Sequence, residues 1–184
     1  MTHTSTIPRL LIIPGLADSG PAHWQTWLQS QQPGALRVRQ RDWLTPDLDR
    51  WAARIASTLE FVGAGPWVAA AHSFGCLALV RHLALNPHSP LVGALLVAPA
   101  DPDRFGIAGL LPIRPLPIPS TLVYSETDPW LAASSARRWA ARWGSSAVNL
   151  GAAGHINAEA GFGPLPLAQR WLAAVETVRR PLAA

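Results

Sequence analysis

Ser73 stands at the centre of Ala71-His72-Ser73-Phe74-Gly75, after the apolar run Trp67–Ala70 and before Cys76–Leu85, whose pattern is helical. A serine at such a strand-to-helix turn projects its hydroxyl from the edge of a sheet, and the crowding there demands small neighbours such as Gly75. A hydroxyl is a poor nucleophile at neutral pH unless a base takes its proton as it attacks. Two partners follow in the chain: Asp128 in Glu126-Thr127-Asp128-Pro129 and His155 in Gly154-His155-Ile156-Asn157. In these roles His155 receives the serine proton, and Asp128 orients the imidazole and stabilises its protonated form. The chemistry that this set can perform is acyl transfer from an ester, thioester or amide to water. The pentapeptide around Ser73 is a weak signal alone; its setting between strand and helix, with Asp and His following in that order, makes it specific.

The tetrahedral intermediate of such a reaction needs donors aimed at its oxyanion. The backbone N–H of Phe74, next after the nucleophile at the start of a helix, is one candidate. The N–H of Leu16, in the turn Pro14-Gly15-Leu16-Ala17, is the other. Alternatives stay open for the acid: Asp128 can cap a helix beginning near Trp130, and Asp101 and Asp103 follow another strand. His155 has the plainer reading of a hydrogen-bonded loop histidine. His72 is expected to point away from the hydroxyl, His23 is either a cleft residue or a helix-surface group, and Cys76 reads as a buried small hydrophobe. Pro14–Gly20 contains glycine but lacks the lysine and spacing of a phosphate loop. No metal, flavin, nicotinamide or nucleotide cofactor is implied.

The elements that must position these residues alternate. Leu10–Ile13, closed by Pro14-Gly15, reads as a central parallel strand covered on both faces. A helix over 23–31, a strand over 36–41 and a helix capped by Asp47 or Asp49, with Trp51, Ile55, Leu59 and Val62 at helical spacing, come next. Gly63-Ala64-Gly65-Pro66 ends that helix. The strand Trp67–Ala70, a helix to about Leu85 stopped by Asn86-Pro87, and strands over 91–97, 121–124 and 147–150 complete the sheet. Helices over 130–143 and 167–178 accompany it. The fold class is therefore α/β: one domain spanning residues 1–184, with a mostly parallel six-stranded sheet and helices on both faces. Ser73, Asp128 and His155 all follow strands, so their loops emerge at the same carboxyl edge. The proline-rich stretch Pro99–Pro119 is either a rim of the site or a packed connection, with Phe105, Ile107, Leu110 and Leu111 as candidate apolar wall residues. It is too short for a full lid domain.

A chain of 184 residues suits one domain, burying roughly 70% of its unfolded surface. Its apolar runs are too short to span a bilayer. Met1–Pro8 lacks the basic segment and apolar core of a signal peptide, so a cytoplasmic location is expected. The formal charge of +4 comes entirely from scattered arginines, with no lysine. Arg37, Arg39 and Arg41 alternate with Leu36, Val38 and Gln40 like the polar face and charged edge of a strand, which argues against a nucleic-acid partner.

These residues also resemble a family, the small α/β-hydrolases of the RBBP9/YdeN type. The resemblance runs from Ile13-Pro14-Gly15 through Trp24 and Trp27 and the Ser73 pentapeptide. It is most distinctive over Gly154-His155-Ile156-Asn157-Ala158-Glu159-Ala160-Gly161-Phe162-Gly163-Pro164. It implies a compact hydrolase fold without a substantial lid, Ser73 as nucleophile, Asp128 as acid and His155 as base. It also implies a small-molecule ester or peptide-like substrate, with peptidase or amidase action as the variant. Some members are discussed chiefly as protein-binding factors, so a noncatalytic peptide- or protein-binding module is the reading from another class. No protein partner is identified, and a retinoblastoma-binding role is not carried over. Two positions depart from the family pattern: Ala71 replaces the usual glycine, and Ala160 stands where serine often follows Glu159.

Overall fold

The apolar runs around Leu10, Val68 and Leu95 become the three central strands of one sheet in the computed structural model, which describes residues 7–63 and 65–179. The element order is β1 (Arg9–Ile13), α1 (Trp24–Ser30), β2 (Leu36–Arg37), α2 (Leu48–Val62), β3 (Trp67–Ser73), α3 (Phe74–Leu85), β4 (Leu91–Pro99), β5 (Ser120–Tyr124), α4 (Ala133–Trp143), β6 (Ser146–Asn149) and α5 (Pro166–Arg179). Met1–Thr6, on which most of the signal-peptide reading rests, and Ala64 of the turn before β3 lie outside the described residues. None of the described helices is long and apolar enough to cross a membrane.

The strands lie in the order β2-β1-β3-β4-β5-β6, and all five pairings are parallel, so the sheet is wholly rather than mostly parallel. Covering both faces accounts for the unbroken apolar strands: Leu10–Ile13 and Trp67–Ala71 are buried throughout. One face packs against α2, α3 and α4 through Trp51, Ile55, Leu77, Ala136 and Trp143. The other packs against α1 and α5 through Trp24, Leu28, Ala168 and Leu172. This division follows from right-handed crossovers. The chain moves outward from β1 to β2 and then returns past β1 to β3, so α1 and α2 fall on opposite faces. The reversal opens a crevice at the carboxyl ends of β1 and β3, where open α/β sheets bind ligands.

Local signals explain most boundaries. Asp47 caps α2 by accepting the Arg50 N–H at 3.0 Å, a contact worth about 1 kcal/mol. Gly144, in the left-handed region at φ 64°, closes α4.

Three expectations are corrected. The second strand stops at Arg37 rather than reaching Arg41: after the Val38 N–H bonds the Ile12 carbonyl, the chain leaves this edge, and the Arg39 carbonyl accepts from Arg54 Nε instead. Arg37 is not part of an outward polar face; only 9% of its side chain is exposed. The fourth helix starts at Ala133 rather than Trp130, because the Trp130 N–H is bound by the Asp128 carboxylate in a turn that precedes the helix.

Candidate active site

β3 runs directly into α3 at Ser73, whose backbone adopts φ 53°, ψ −126°. A non-glycine residue there carries roughly 1–3 kcal/mol of strain, held by the surrounding packing. Gly75 makes the turn sterically feasible: a Cβ at that position would lie 2.3 Å from the Pro14 carbonyl oxygen and 2.6 Å from that of Ile13. Ala71, where the family pattern has glycine, is accommodated without exposure in the core beneath the turn.

Two loops bring the partners to Ser73. The loop after β5 carries Asp128 and the loop after β6 carries His155, and Ser125 stitches them together. Its Oγ donates to the Gly151 carbonyl at 3.0 Å and accepts the Ala153 N–H at 2.9 Å. Thr127 Oγ1 adds a bond from the Gly154 N–H at 3.0 Å. His155 Nδ1 then lies 2.9 and 3.0 Å from the two carboxylate oxygens of Asp128, while its Nε2 lies 3.0 Å from Ser73 Oγ. The carboxylate accepts only, so Nδ1 carries a proton and the neutral ring presents a bare Nε2 to the hydroxyl. Both side chains are sequestered, 8% exposed for His155 and 3% for Asp128, which strengthens the interaction by excluding water.

Asp128 does not cap the helix, which starts at Ala133, but the same carboxylate takes the Trp130 N–H at 2.9 Å in the turn that precedes it. Asp101 is engaged elsewhere, accepting the Asp103 N–H at the start of a 3-10 turn over Pro102–Phe105. Leu16 lines the cleft beside Ser73, and the adjacent Ala17 N–H is bound to the Trp43 carbonyl. Phe74 is the first residue of α3, so its N–H has no acceptor within the helix.

The loop after β1 is fixed by a buried network that the sequence pattern did not disclose. Arg37 donates to Asp18 Oδ1 at 3.0 Å, the Ser19 carbonyl at 2.7 Å, Thr26 Oγ1 at 2.8 Å and Gln29 Oε1 at 3.0 Å. Gln25 spans the crevice, its Nε2 donating to the carbonyls of Ile13 and Ala70 while its Oε1 accepts from Ser19 Oγ. These bonds hold Ala17 and Asp18 at positive φ, 64° and 60°.

Two further histidines lie against the site. His72 Nε2 donates to the His155 carbonyl at 3.0 Å, and its ring centroid is 4.8 Å from that of His155. Burial, with His23 and His155 alongside, holds the His72 pKa well below the ordinary imidazole value. His23 packs edge-on against His72 at 4.7 Å. Burial, then the nearby Arg37 and His155, lowers its pKa to about 4. Both rings are neutral at pH 7, leaving positive charge to develop on His155. His72 is directed to the backbone of His155, consistent with its expected turn away from the serine, and His23 is a cleft residue.

The cleft encloses about 230 Å³. Of the four apolar residues expected on its wall, Phe105 lines it, while Leu111 is in the core, Ile107 packs beside the core and Leu110 is 43% exposed. Trp130 forms a wall that the residue pattern did not reveal, its ring 6.0 Å from that of His155. Arg104 joins the long β4–β5 connection to this wall by lying over the Trp130 ring and donating to the Pro129 carbonyl at 2.8 Å. A larger depression of about 490 Å³, between the carboxyl ends of α2 and α3, shares no lining residue with the cleft.

A wholly parallel sheet covered on both faces, with a serine on the strained turn after a central strand, defines the α/β-hydrolase class. The serine hydrolase family model matches residues 10–174. The chain belongs to that family and is a small serine hydrolase of the YdeN type. It is 39% identical to a protein from Pectobacterium atrosepticum described as a YdeN-like hydrolase, over 94% of this chain and 92% of that one, with a TM-score of 0.88. The ydeN product of B. subtilis is 21% identical over 91% of this chain and 97% of its own, with a TM-score of 0.73. The esterase RhEst1 from Rhodococcus sp. is 17% identical over 97% and 92%, with a TM-score of 0.66. At these identities the latter two speak to the fold alone. No curated protein matches the chain.

Proposed function

We propose that this hydrolase is a carboxylesterase for small acyl esters, working through Ser73, His155 and Asp128 and a covalent acyl-enzyme. The observation that carries this reading is the continuous chain from the Asp128 carboxylate through both nitrogens of His155 to Ser73 Oγ, every link between 2.9 and 3.0 Å. Ser73 Oγ attacks the ester carbonyl while His155 Nε2 takes its proton. The resulting imidazolium is stabilised by Asp128, and the oxyanion is received by the N–H groups of Phe74 and Leu16. His155 then protonates the leaving alcohol as the carbon–oxygen bond breaks. In the second half, His155 takes a proton from water, the hydroxide equivalent attacks the acyl-serine, and Ser73 leaves with its proton restored.

The modest size of the cleft, about 230 Å³, supports a small substrate. Phe105 and Trp130 supply apolar contact for a short acyl chain. Peptide-like substrates share the same attack step and form the amide-cleaving variant of this reading.

The test is labelling of wild type and Ser73→Ala by a fluorophosphonate, followed by a 4-nitrophenyl ester series of increasing acyl length. Labelling of wild type alone, with turnover favouring short chains, is the expected result. Folded wild type that neither labels nor turns over any ester would remove the esterase reading and favour a binding module.

A further inference from the structure

His23 carries a hydrogen-bonding group that the hydrolytic steps above do not use. The residue is only 6% exposed, yet its ring lines the same cleft as Ser73 and His155. Its Nδ1 accepts the Gln25 N–H at 3.1 Å. A ring nitrogen that accepts is unprotonated, so the neutral ring must carry its proton on Nε2. No hydrogen bond engages Nε2 among the described residues, and this nitrogen is not one of the fully buried polar atoms left without a partner, so its unused N–H opens onto the cleft. The ring cannot readily turn away, because it is held by the Gln25 contact, by Trp24 at 5.6 Å and by His72 at 4.7 Å.

The structure assigns His23 Nε2–H as a specificity-determining donor to an uncharged oxygen of the substrate, an ether or carbonyl oxygen besides those of the scissile ester. This assignment rests on the esterase reading above and deepens it. The surroundings select the charge of the acceptor. Asp18 and Glu159 line the same cleft, and Arg37, the cation nearest Asp18, is already committed to four acceptors. Asp18 is offset by its ion pair with Arg37, but an anionic acceptor would still meet the Glu159 carboxylate, which has no salt-bridge partner among the described residues, whereas a neutral oxygen satisfies the donor without that repulsion. A purely hydrocarbon chain would displace water from Nε2–H and leave it unpaired, which is where discrimination arises.

Two pairs of nearly isosteric esters test this, each replacing one CH₂ by oxygen. The acyl pair is 4-nitrophenyl methoxyacetate against 4-nitrophenyl butyrate, and the alcohol pair is 2-methoxyethyl butyrate against butyl butyrate. The quantity read is the kcat/KM ratio within each pair for wild type divided by that ratio for a variant, so the intrinsic reactivity of each ester cancels. His23→Asn retains an oxygen able to cap α1 but withdraws the distal donor, and His23→Phe retains the ring contacts without nitrogen. One lost neutral hydrogen bond corresponds to roughly a three- to tenfold fall in the oxygen preference. A fall of that size in both variants, for either pair, supports the assignment and tells which side of the ester His23 faces. Double ratios near one for both pairs in His23→Asn, with fluorophosphonate labelling intact, would reduce His23 to a helix cap and overturn it. Absence of labelling and turnover in wild type would instead remove the esterase reading itself.

Discussion

Gly15 faces Ser73 across the crevice with no room for a side chain: a Cβ on Gly15 would lie 2.7 Å from Ser73 Cβ, 3.2 Å from the His72 carbonyl oxygen and 3.4 Å from Ser73 Oγ. The obstacle is the nucleophile itself, so Gly15→Ala displaces the reacting atom. A shift approaching 1 Å costs on the order of a hundredfold in rate. Gly15→Ala is therefore expected to lose roughly ten- to a hundredfold in kcat, measured beside the melting temperature, and to remain folded.

Gly75→Ala should behave in the opposite way. Its Cβ would meet two backbone carbonyl oxygens, at 2.3 and 2.6 Å, neither of which can swing aside. A loss of about 3 kcal/mol or more is expected in urea unfolding. A Gly75→Ala protein as stable as wild type would contradict the close approach of α3 to the end of β1.

Asp128→Asn preserves an oxygen for the Trp130 N–H but takes away the charge facing His155 Nδ1. An amide NH₂ at that point favours the other tautomer, with the proton on Nε2 where the serine must deliver its own. Turnover is expected to fall by about 10³–10⁴, with fluorophosphonate labelling slowed in parallel and stability little altered. A loss below tenfold would detach Asp128 from the proposed mechanism.

Arg37 offers a test of the loop after β1. Arg37→Met removes four hydrogen bonds and leaves Asp18 without its cation. Breaking such a partly buried pair costs about 3 kcal/mol. If this loop presents the Leu16 N–H to the oxyanion, kcat should fall along with stability, while KM for a small ester moves less.

Acid should destabilise the fold over a defined window. His23 and His82 have pKa values lowered to about 4, and His72 lies well below the ordinary value, each chiefly through burial. An unfolded chain binds protons on these rings near pH 6.5, whereas the folded chain resists them. Their contribution is thus complete above about pH 6.5 and shrinks as pH falls towards 4, by about 3 kcal/mol each for His23 and His82. Urea midpoints measured between pH 7 and pH 4 should decline accordingly, and His82→Gln should flatten part of that decline.

Much of this architecture was legible because local and global signals agree. Leu10–Ile13 and Trp67–Ala70 are apolar on both faces and are central strands, and Asp47 stands where a cap belongs. Ser73, Asp128 and His155 come at or after the carboxyl ends of β3, β5 and β6 of a parallel sheet, which anticipated their meeting at one edge. Arg37 misled because alternation with Leu36 and Val38 looks the same whether the charged side chain meets solvent or folds inward onto a partly exposed carboxylate. Only the three-dimensional arrangement of Asp18, Thr26 and Gln29 distinguishes them. Trp130 likewise lay inside an expected helix, and its place beside His155 depends on a turn held by the Asp128 carboxylate.

Cys76, the one thiol in the chain, is fully buried three residues beyond Ser73, with its Sγ–H directed to the Val97 carbonyl at 3.5 Å. Burial also raises its pKa, suppressing the thiolate on which alkylation and oxidation depend. The packing that seals the turn therefore doubles as a built-in clock. Each maleimide captured by Cys76 would record one opening of the protein's interior, so inactivation by a thiol reagent would measure how often the fold comes apart rather than the chemistry of its cleft.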